Sequence, residues 1–277
     1  MPQAWIDALN AAVTAGNIPN IPQSTESGGQ NPVYPQGYDP TGPEVCSGTY
    51  KCMNPLDYWN APSGYFGTGF DDGPTEVSFH FVQHKHKPHF RPYNFFQVSP
   101  MLYNFLQENN ISATHFMIGI QILSFPSTFQ FAFDTLGGDI AVHTWTHPYM
   151  TTLSNLDVVA QLGWTMQIIH DSTGGRLPQF WRPPYGDSDN RVRAIAQEVF
   201  GLKAIYWNQE YVVVVVVVVV LGRTNSELTL RSSTEDWSLT TPGGTTMQAI
   251  NTSMTQWLTG VVGKRNVGSD HSNVPIF

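Results

Sequence analysis

Asp71 and Asp72 stand side by side in the stretch Gly69-Phe70-Asp71-Asp72-Gly73-Pro74, after an aromatic-rich run and before a Gly-Pro break. Two carboxylates this close repel unless something positive lies beside one of them. A divalent metal on one carboxylate resolves the conflict and leaves the other as a base. A solvated turn is the plainer alternative, because Asp, Gly and Pro are ordinary turn formers. A second group, His143-Thr144-Trp145-Thr146-His147, follows a predicted strand, Asp139-Ile140-Ala141-Val142. Two His four positions apart at the C-terminal end of a strand, straddling an expected turn into a helix, can face one point. Neutral imidazole is a common ligand for zinc; two unrelated histidines are the alternative. A third group, Arg182-Pro183-Pro184-Tyr185-Gly186-Asp187, also follows a predicted strand. Its stiff Pro-Pro-Tyr loop suits a groove wall with an oriented N–H at Tyr185, and Arg182 could pair with a carboxylate. A rigid surface turn is the alternative there. The fourth group, Glu235-Asp236-Trp237, sets a carboxylate beside a hydrophobic ring.

The elements that must carry these groups alternate between strand and helix. Residues 4–16 read as a short amphipathic helix with Trp5, Ile6, Leu9, Ala12 and Val13 at helical spacing. Residues 17–64 are rich in Pro, Gly, Asn and Ser without a sustained period and read as an arm wrapping the domain. The strand bearing the first motif is expected to end at Phe70. Pro100 to Asn109 reads as a helix, Ala113 to Ile118 as a buried strand and Phe125 to Leu136 as a helix stopped by Gly137-Gly138. Asn155 to Thr173 is a strong helix capped by Ser154. Gln179 to Trp181 reads as a strand, Arg191 to Phe200 as a helix and Ala204 to Trp207 as a strand. Such alternation means a parallel sheet or a β/α barrel, with the site at the C-terminal rim.

Composition sets the frame. The chain has 277 residues, 41% hydrophobic and 12% charged, enough for one large domain or two small ones. A net charge of -8 argues against nucleic acid and anionic membrane as partners. Eight Trp within 13% aromatics could supply stacking platforms for sugar rings, although such residues are more often core. Cys46 and Cys52, the only cysteines, suggest one local disulfide and an oxidising compartment; two buried thiols are the alternative. Met1-Pro2-Gln3-Ala4-Trp5 lacks the pattern of a signal peptide, which implies an intracellular protein or a start that is not the native one. The valine run 212–220, even with Leu221, is far shorter than the ~18 residues of a membrane helix, so no transmembrane segment is expected.

Taken in order, Asp-Asp-Gly-Pro, His-x-x-x-His, Arg-x-Pro-Tyr and Asp-Trp resemble the NodB-homology polysaccharide deacetylases, carbohydrate esterase family 4, and among them the fungal chitin deacetylases. The likeness runs from about residue 3 to Gly260 and is close over Ala141 to Asn155 and Trp164 to Gly201. It implies an α/β fold, a distorted (β/α) barrel, spanning residues 65–260 behind an N-terminal helix and arm at 1–64. It implies that Asp72, His143 and His147 bind one divalent metal, zinc first and cobalt second. Asp71 would be the general base toward a water held by that metal, and Arg182 would hold Asp71. The Tyr185 N–H would stabilise the oxyanion, Asp236 would tune a catalytic His, and Trp237 would wall the acetyl pocket. Trp145 joins Tyr185 and Trp237 as a substrate contact. The reaction implied is removal of acetyl groups from N-acetylglucosamine units of chitin, in a secreted or cell-wall protein.

Three stretches depart from the family pattern: 77–97, 210–233 and 261–277. They read as translated introns. A GTAAGT donor encodes Val-Ser, as at Val77-Ser78; a CAG acceptor encodes Gln, as at Gln97; a GTT repeat gives the valine run. Within the first, His80, His84, His86 and His89 offer a lesser reading as a second metal site. The third replaces the last strand and the Leu-x-His motif that carries the catalytic acid, so impaired turnover is expected. A chitin-binding or wall-associated pseudoenzyme is the alternative function, and another N-acetylated target such as peptidoglycan a third.

Overall fold

Short apolar runs separated by amphipathic helices build a parallel sheet. The computed structural model describes residues 1–26, 31–61, 67–75 and 98–207, and the backbone of 210–214 and 229–233. Strands β1 (Gly69–Gly73), β2 (Thr114–Met117), β3 (Asp139–Val142), β4 (Phe180–Trp181) and β5 (Lys203–Ala204) form one sheet in the order β1-β2-β3-β4-β5. Every neighbouring pair is parallel. Strands in strict sequence order, all parallel, are also the order in which a β/α barrel is wound. All four residues of β2 are buried, as in a strand covered on both faces. Phe116, Ala141 and Ile205 form a cluster at the sheet, with Phe180 packed against it.

The described residues fall into two compact units. One holds the described residues up to Gly73 and from Ser112 to 207. Besides the sheet it contains α1 (Gln3–Thr14), α3 (Gly119–Ser124), α4 (Pro126–Gln130), α5 (Asn155–Ser172) and α6 (Asn190–Phe200). The other unit holds α2 (Val98–Glu108) and a hairpin of β6 (Glu210–Val214) with β7 (Thr229–Ser233). The hairpin is antiparallel and pairs Val212 with Arg231, so part of the valine run lies in a strand. Residues 77–97, 215–228 and 261–277 lie outside the described residues.

Helix boundaries follow their caps. Ser154 accepts the Asp157 N–H at 3.2 Å and donates to the Asp157 carboxylate at 2.6 Å, opening α5. The Asp189 carboxylate accepts the Val192 N–H at 2.8 Å, opening α6, and Gly201 closes that helix at φ +68. Trp5 of α1 meets Trp164 of α5 and Phe200 of α6 edge-on, with centroids 5.3 and 5.5 Å away.

Two expectations need correction. β1 does not end at Phe70 but continues to Gly73, with a register shift between Phe70 and Gly73. Such a bulge re-aims side chains at a sheet end. Residues 125–136 are not one α-helix: α4 starts with Pro126 at its first turn and widens into a π-helical turn over Phe131–Thr135.

The arm after α1 is tied down by buried polar bonds. The Ser24 N–H donates to the Thr151 carbonyl at 3.0 Å, and the Tyr34 hydroxyl donates to Asp189 Oδ2 at 3.1 Å. Cys46 and Cys52 are disulfide-bonded. Arg193 pairs with buried Asp57 at 2.9 Å and donates to the Tyr206 hydroxyl at 3.1 Å. Asp187 is fully buried, and burial pushes its carboxyl up to about 7.

Two outcomes follow. The Cys46→Ser/Cys52→Ser variant should lose about 2 kcal/mol of stability, the entropy of closing so short a loop, read by urea unfolding. The raised Asp187 carboxyl means the folded chain holds a proton that the unfolded chain releases near pH 4. Its stabilising contribution is therefore full below about pH 4 and lost as pH rises through about 7. Relative to Asp187→Asn, which cannot ionise, the wild type should lose about 1–3 kcal/mol of stability between pH 4 and pH 7. A constant difference between the two proteins across that range would contradict this.

Candidate metal centre

Register brings the strand ends level. Gly73 pairs with Met117, Met117 with Val142, and Val142 with Trp181. Asp71, Asp72, His143 and Arg182 therefore share one rim, at the C-terminal ends of β1, β3 and β4. At that rim Asp72 Oδ1 lies 3.3 Å from His143 Nε2 and 3.1 Å from His147 Nε2. Donor atoms of the three residues all lie within 4.8 Å of one another. When their Nε2 atoms carry protons, hydrogen bonds from His143, then His147, hold the exposed Asp72 carboxyl well below the usual carboxylate range.

The donor chemistry fits a cation. His143 Nδ1 lies 2.8 Å from the Arg182 carbonyl oxygen, which can only accept, so Nδ1 carries the hydrogen. In the neutral ring Nε2 then bears the lone pair and faces a carboxylate oxygen. That arrangement is repulsive unless a proton or a metal lies between. Two donors on a tetrahedral zinc at about 2.1 Å sit about 3.4 Å apart, close to the separations here. The Arg182 carbonyl fixes the His143 tautomer, as outer partners do for metal-binding His.

Asp71 goes elsewhere. Arg182 Nη1 donates to its Oδ1 at 2.7 Å, and Arg182 Nε donates to the Ile205 carbonyl at 3.1 Å. The guanidinium lies over the Phe116 ring, 3.8 Å from its centroid, in a cation–π contact. Gly69 leaves room for it: a Cβ there would stand 2.9 Å from Phe116 and 3.1 Å from Arg182 Nη1. The two neighbouring acids are thus divided, one toward imidazoles and one onto a guanidinium.

The loop after β3 does not enter a helix at once, as the histidine spacing suggested. α5 begins only at Asn155, and Thr144 and His147 take left-handed φ of +67 and +61. The loop is held by side chains. Thr144 Oγ1 accepts the His147 N–H at 3.0 Å, and Gln161 Oε1 accepts the N–H groups of Trp145 and Thr146 at 2.8 and 2.9 Å. Trp145 is directed at packing: its indole lies against Gly119, where a Cβ would collide with it. Tyr185, at φ +60, is half exposed; its ring stands edge-on to His147 at 4.6 Å and stacks on Tyr149 at 4.2 Å. Asp236 and Trp237 lie outside the described residues.

Thr144, Tyr149, Gln161 and Phe116 were not singled out from sequence. Phe116 and Gln161 reach the site from distant positions, and only Tyr149 offered a signal, as an aromatic two residues past His147.

Comparison with known proteins bears on the same residues. A family model described as polysaccharide deacetylase matches residues 60–205. Chitin deacetylase 3 of Cryptococcus neoformans var. neoformans is 45% identical over 213 residues, covering 76% of this chain and 45% of that protein. Chitin deacetylase 1 of Saccharomyces cerevisiae is 31% identical over 166 residues, covering 60% of this chain and 46% of that protein. This chain thus spans about half the length of these curated relatives. Among solved structures, a family 4 carbohydrate esterase from Streptomyces lividans is 30% identical with a TM-score of 0.42, covering 54% of this chain and 65% of that one. The matched residues 60–205 include both acids, both histidines, Arg182 and Tyr185, and the chain belongs to the polysaccharide deacetylase family.

Proposed function

We propose that this protein hydrolyses the N-acetyl groups of N-acetylglucosamine units in chitin, releasing acetate and leaving free amines on the polymer. The observation that carries the reading is the division of the two acids: Asp72 shares one point with His143 and His147, while Asp71 sits on Arg182. The names of the fungal relatives supply the substrate. The Cys46–Cys52 disulfide agrees with a secreted or cell-wall setting.

Asp72, His143 and His147 would hold one divalent ion, with zinc preferred by two imidazoles and a carboxylate. When bound, zinc acidifies a water and polarises a carbonyl. Asp71 accepts the proton of the attacking water. Arg182 keeps that carboxylate aimed, with its guanidinium fixed by Phe116 and the Ile205 carbonyl. The Tyr185 N–H donates to the oxyanion as charge develops on the acetyl oxygen. In balance, the amide C–N bond breaks, water gives its hydroxyl to the acetyl carbon, and its proton ends on the amine. Asp236 and Trp237 are assigned to tuning a catalytic His and walling the acetyl pocket. Trp145 is assigned to supporting the loop on which His147 sits, with any substrate contact made by its exposed edge. The binding-only alternative is disfavoured by the close approach of all three ligand side chains.

Acetate release from chitin oligomers should exceed that from peptidoglycan, stop on chelation and return with zinc; equal or chelator-insensitive release would refute this assignment. Asp71→Asn should retain zinc in equilibrium dialysis yet lose on the order of 10²- to 10⁴-fold in kcat. His147→Ala should lose zinc itself. An active Asp71→Asn protein would remove Asp71 from its role as base.

A further inference from the structure

Two loops meet at the rim, and they are joined in two places. One carries His147, Tyr149 and Thr151 after β3, and the other carries Tyr185 and Asp187 after β4. Toward solvent, the Tyr149 and Tyr185 rings stack 4.2 Å apart and 13° from parallel. Two residues further along each loop, on the inside, Thr151 meets Asp187. The Thr151 N–H donates to Asp187 Oδ2 at 2.8 Å, and the Thr151 hydroxyl donates to Oδ1 and Oδ2 at 3.0 and 2.9 Å. Both residues are fully buried.

We propose that Asp187 is a positioning residue: through Thr151 it locks the Tyr185 loop against the His147 loop and so fixes where the Tyr185 N–H points. The proposal rests on the deacetylase reading for its kinetic consequence, but the clamp itself is independent of it.

Three observations support it. Tyr185 holds a left-handed backbone, φ +60 and ψ 8, which a residue with a Cβ keeps only when its surroundings impose it. The turn that imposes it closes on Asp187, whose N–H donates to the Pro184 carbonyl at 2.8 Å. Thr151 is itself immobilised on its other sides. Its hydroxyl accepts from Ser24 Oγ at 2.6 Å, and its carbonyl accepts from the Ser24 N–H at 3.0 Å and from Arg191 Nη2 at 3.0 Å. The arm therefore braces the clamp from outside the residues matched by the family model, 60–205. Burial favours the neutral carboxyl at Asp187, which a side-chain amide can imitate.

The metal ligands have supports of their own besides this clamp. His147 is held by Thr144 and the loop before it by Gln161, both independent of Asp187. The clamp therefore acts chiefly on charge that develops during reaction, and its loss should fall on kcat while zinc is retained.

The test compares Asp187→Ala, Asp187→Asn and Thr151→Val as full-length zinc-loaded proteins. Asp187→Ala should lose about 10- to 100-fold in kcat, the scale of a small misplacement of a transition-state donor. Its zinc dissociation constant should change by less than about 3-fold while kcat falls. Asp187→Asn, which still accepts the Thr151 N–H, should stay within about 5-fold of wild type, a rescue that a purely electrostatic role of the carboxylate forbids. Thr151→Val should lose about 3- to 10-fold in kcat, and it decides the matter if Asp187→Ala does not fold. Wild-type kcat in Asp187→Ala or Thr151→Val, with only a lowered melting temperature, overturns the proposal. If the wild type releases no acetate, the deacetylase reading is what fails, and amide exchange judges the clamp. Exchange at 185–187 at least about 10-fold faster in Thr151→Val, with 140–147 unchanged, upholds it; unchanged exchange at 185–187 overturns it.

Discussion

Two adjacent carboxylates cannot share one environment, and the rim of this sheet is arranged to separate them. Asp72 turns to His143 and His147, while Asp71 turns to Arg182. Neighbours on a regular strand alternate faces, which would send one acid away from the site. The bulge in β1 and the left-handed backbone of Asp72, φ +66, keep both acids at the rim. Their partners come from different strands, so the division holds only while the strand ends stay level. Everything else that is known of the site sits around that separation.

The supports repeat a theme of buried polar groups satisfied by loops. The Arg182 carbonyl orients His143 while the Arg182 side chain holds Asp71, so one residue serves both acids. Phe116 and Gly69 give the guanidinium a fitted bed. Gln161, reaching from α5, takes up two N–H groups of the histidine loop that would otherwise be unpaired. The arm closes the arrangement from behind, through Ser24, Tyr34 and the Cys46–Cys52 loop. Positive φ values at Asp72, Thr144, His147 and Tyr185 all fall within this site. Strain of that kind persists where the surroundings over-determine it.

Much of this was legible in the chain. The alternation of apolar runs and amphipathic helices gave the parallel sheet, and the four ordered motifs gave the family. The residues that meet at the rim were legible because they stand at or shortly after strand ends, which level register brings together. The detail was not. Nothing local to Gly69-Phe70-Asp71 signals a bulge, because the shift arises from pairing with β2. The histidine spacing suggested a helix that α5 supplies only later, because Thr144 and Gln161 satisfy the loop instead. The π-turn after α4 reflects packing that an apolar period does not encode. Asp187 passed as part of a stiff loop, since its partner Thr151 lies far away in sequence.

The central claim is one metal ion gripped by Asp72, His143 and His147. X-ray absorption at the zinc edge on the stoichiometric zinc complex tests it most directly. The account predicts a first shell of two imidazole nitrogens and at least one carboxylate oxygen at about 2.0–2.2 Å. A sulfur-containing shell, a single imidazole, or an unchanged spectrum in Asp72→Asn would contradict it.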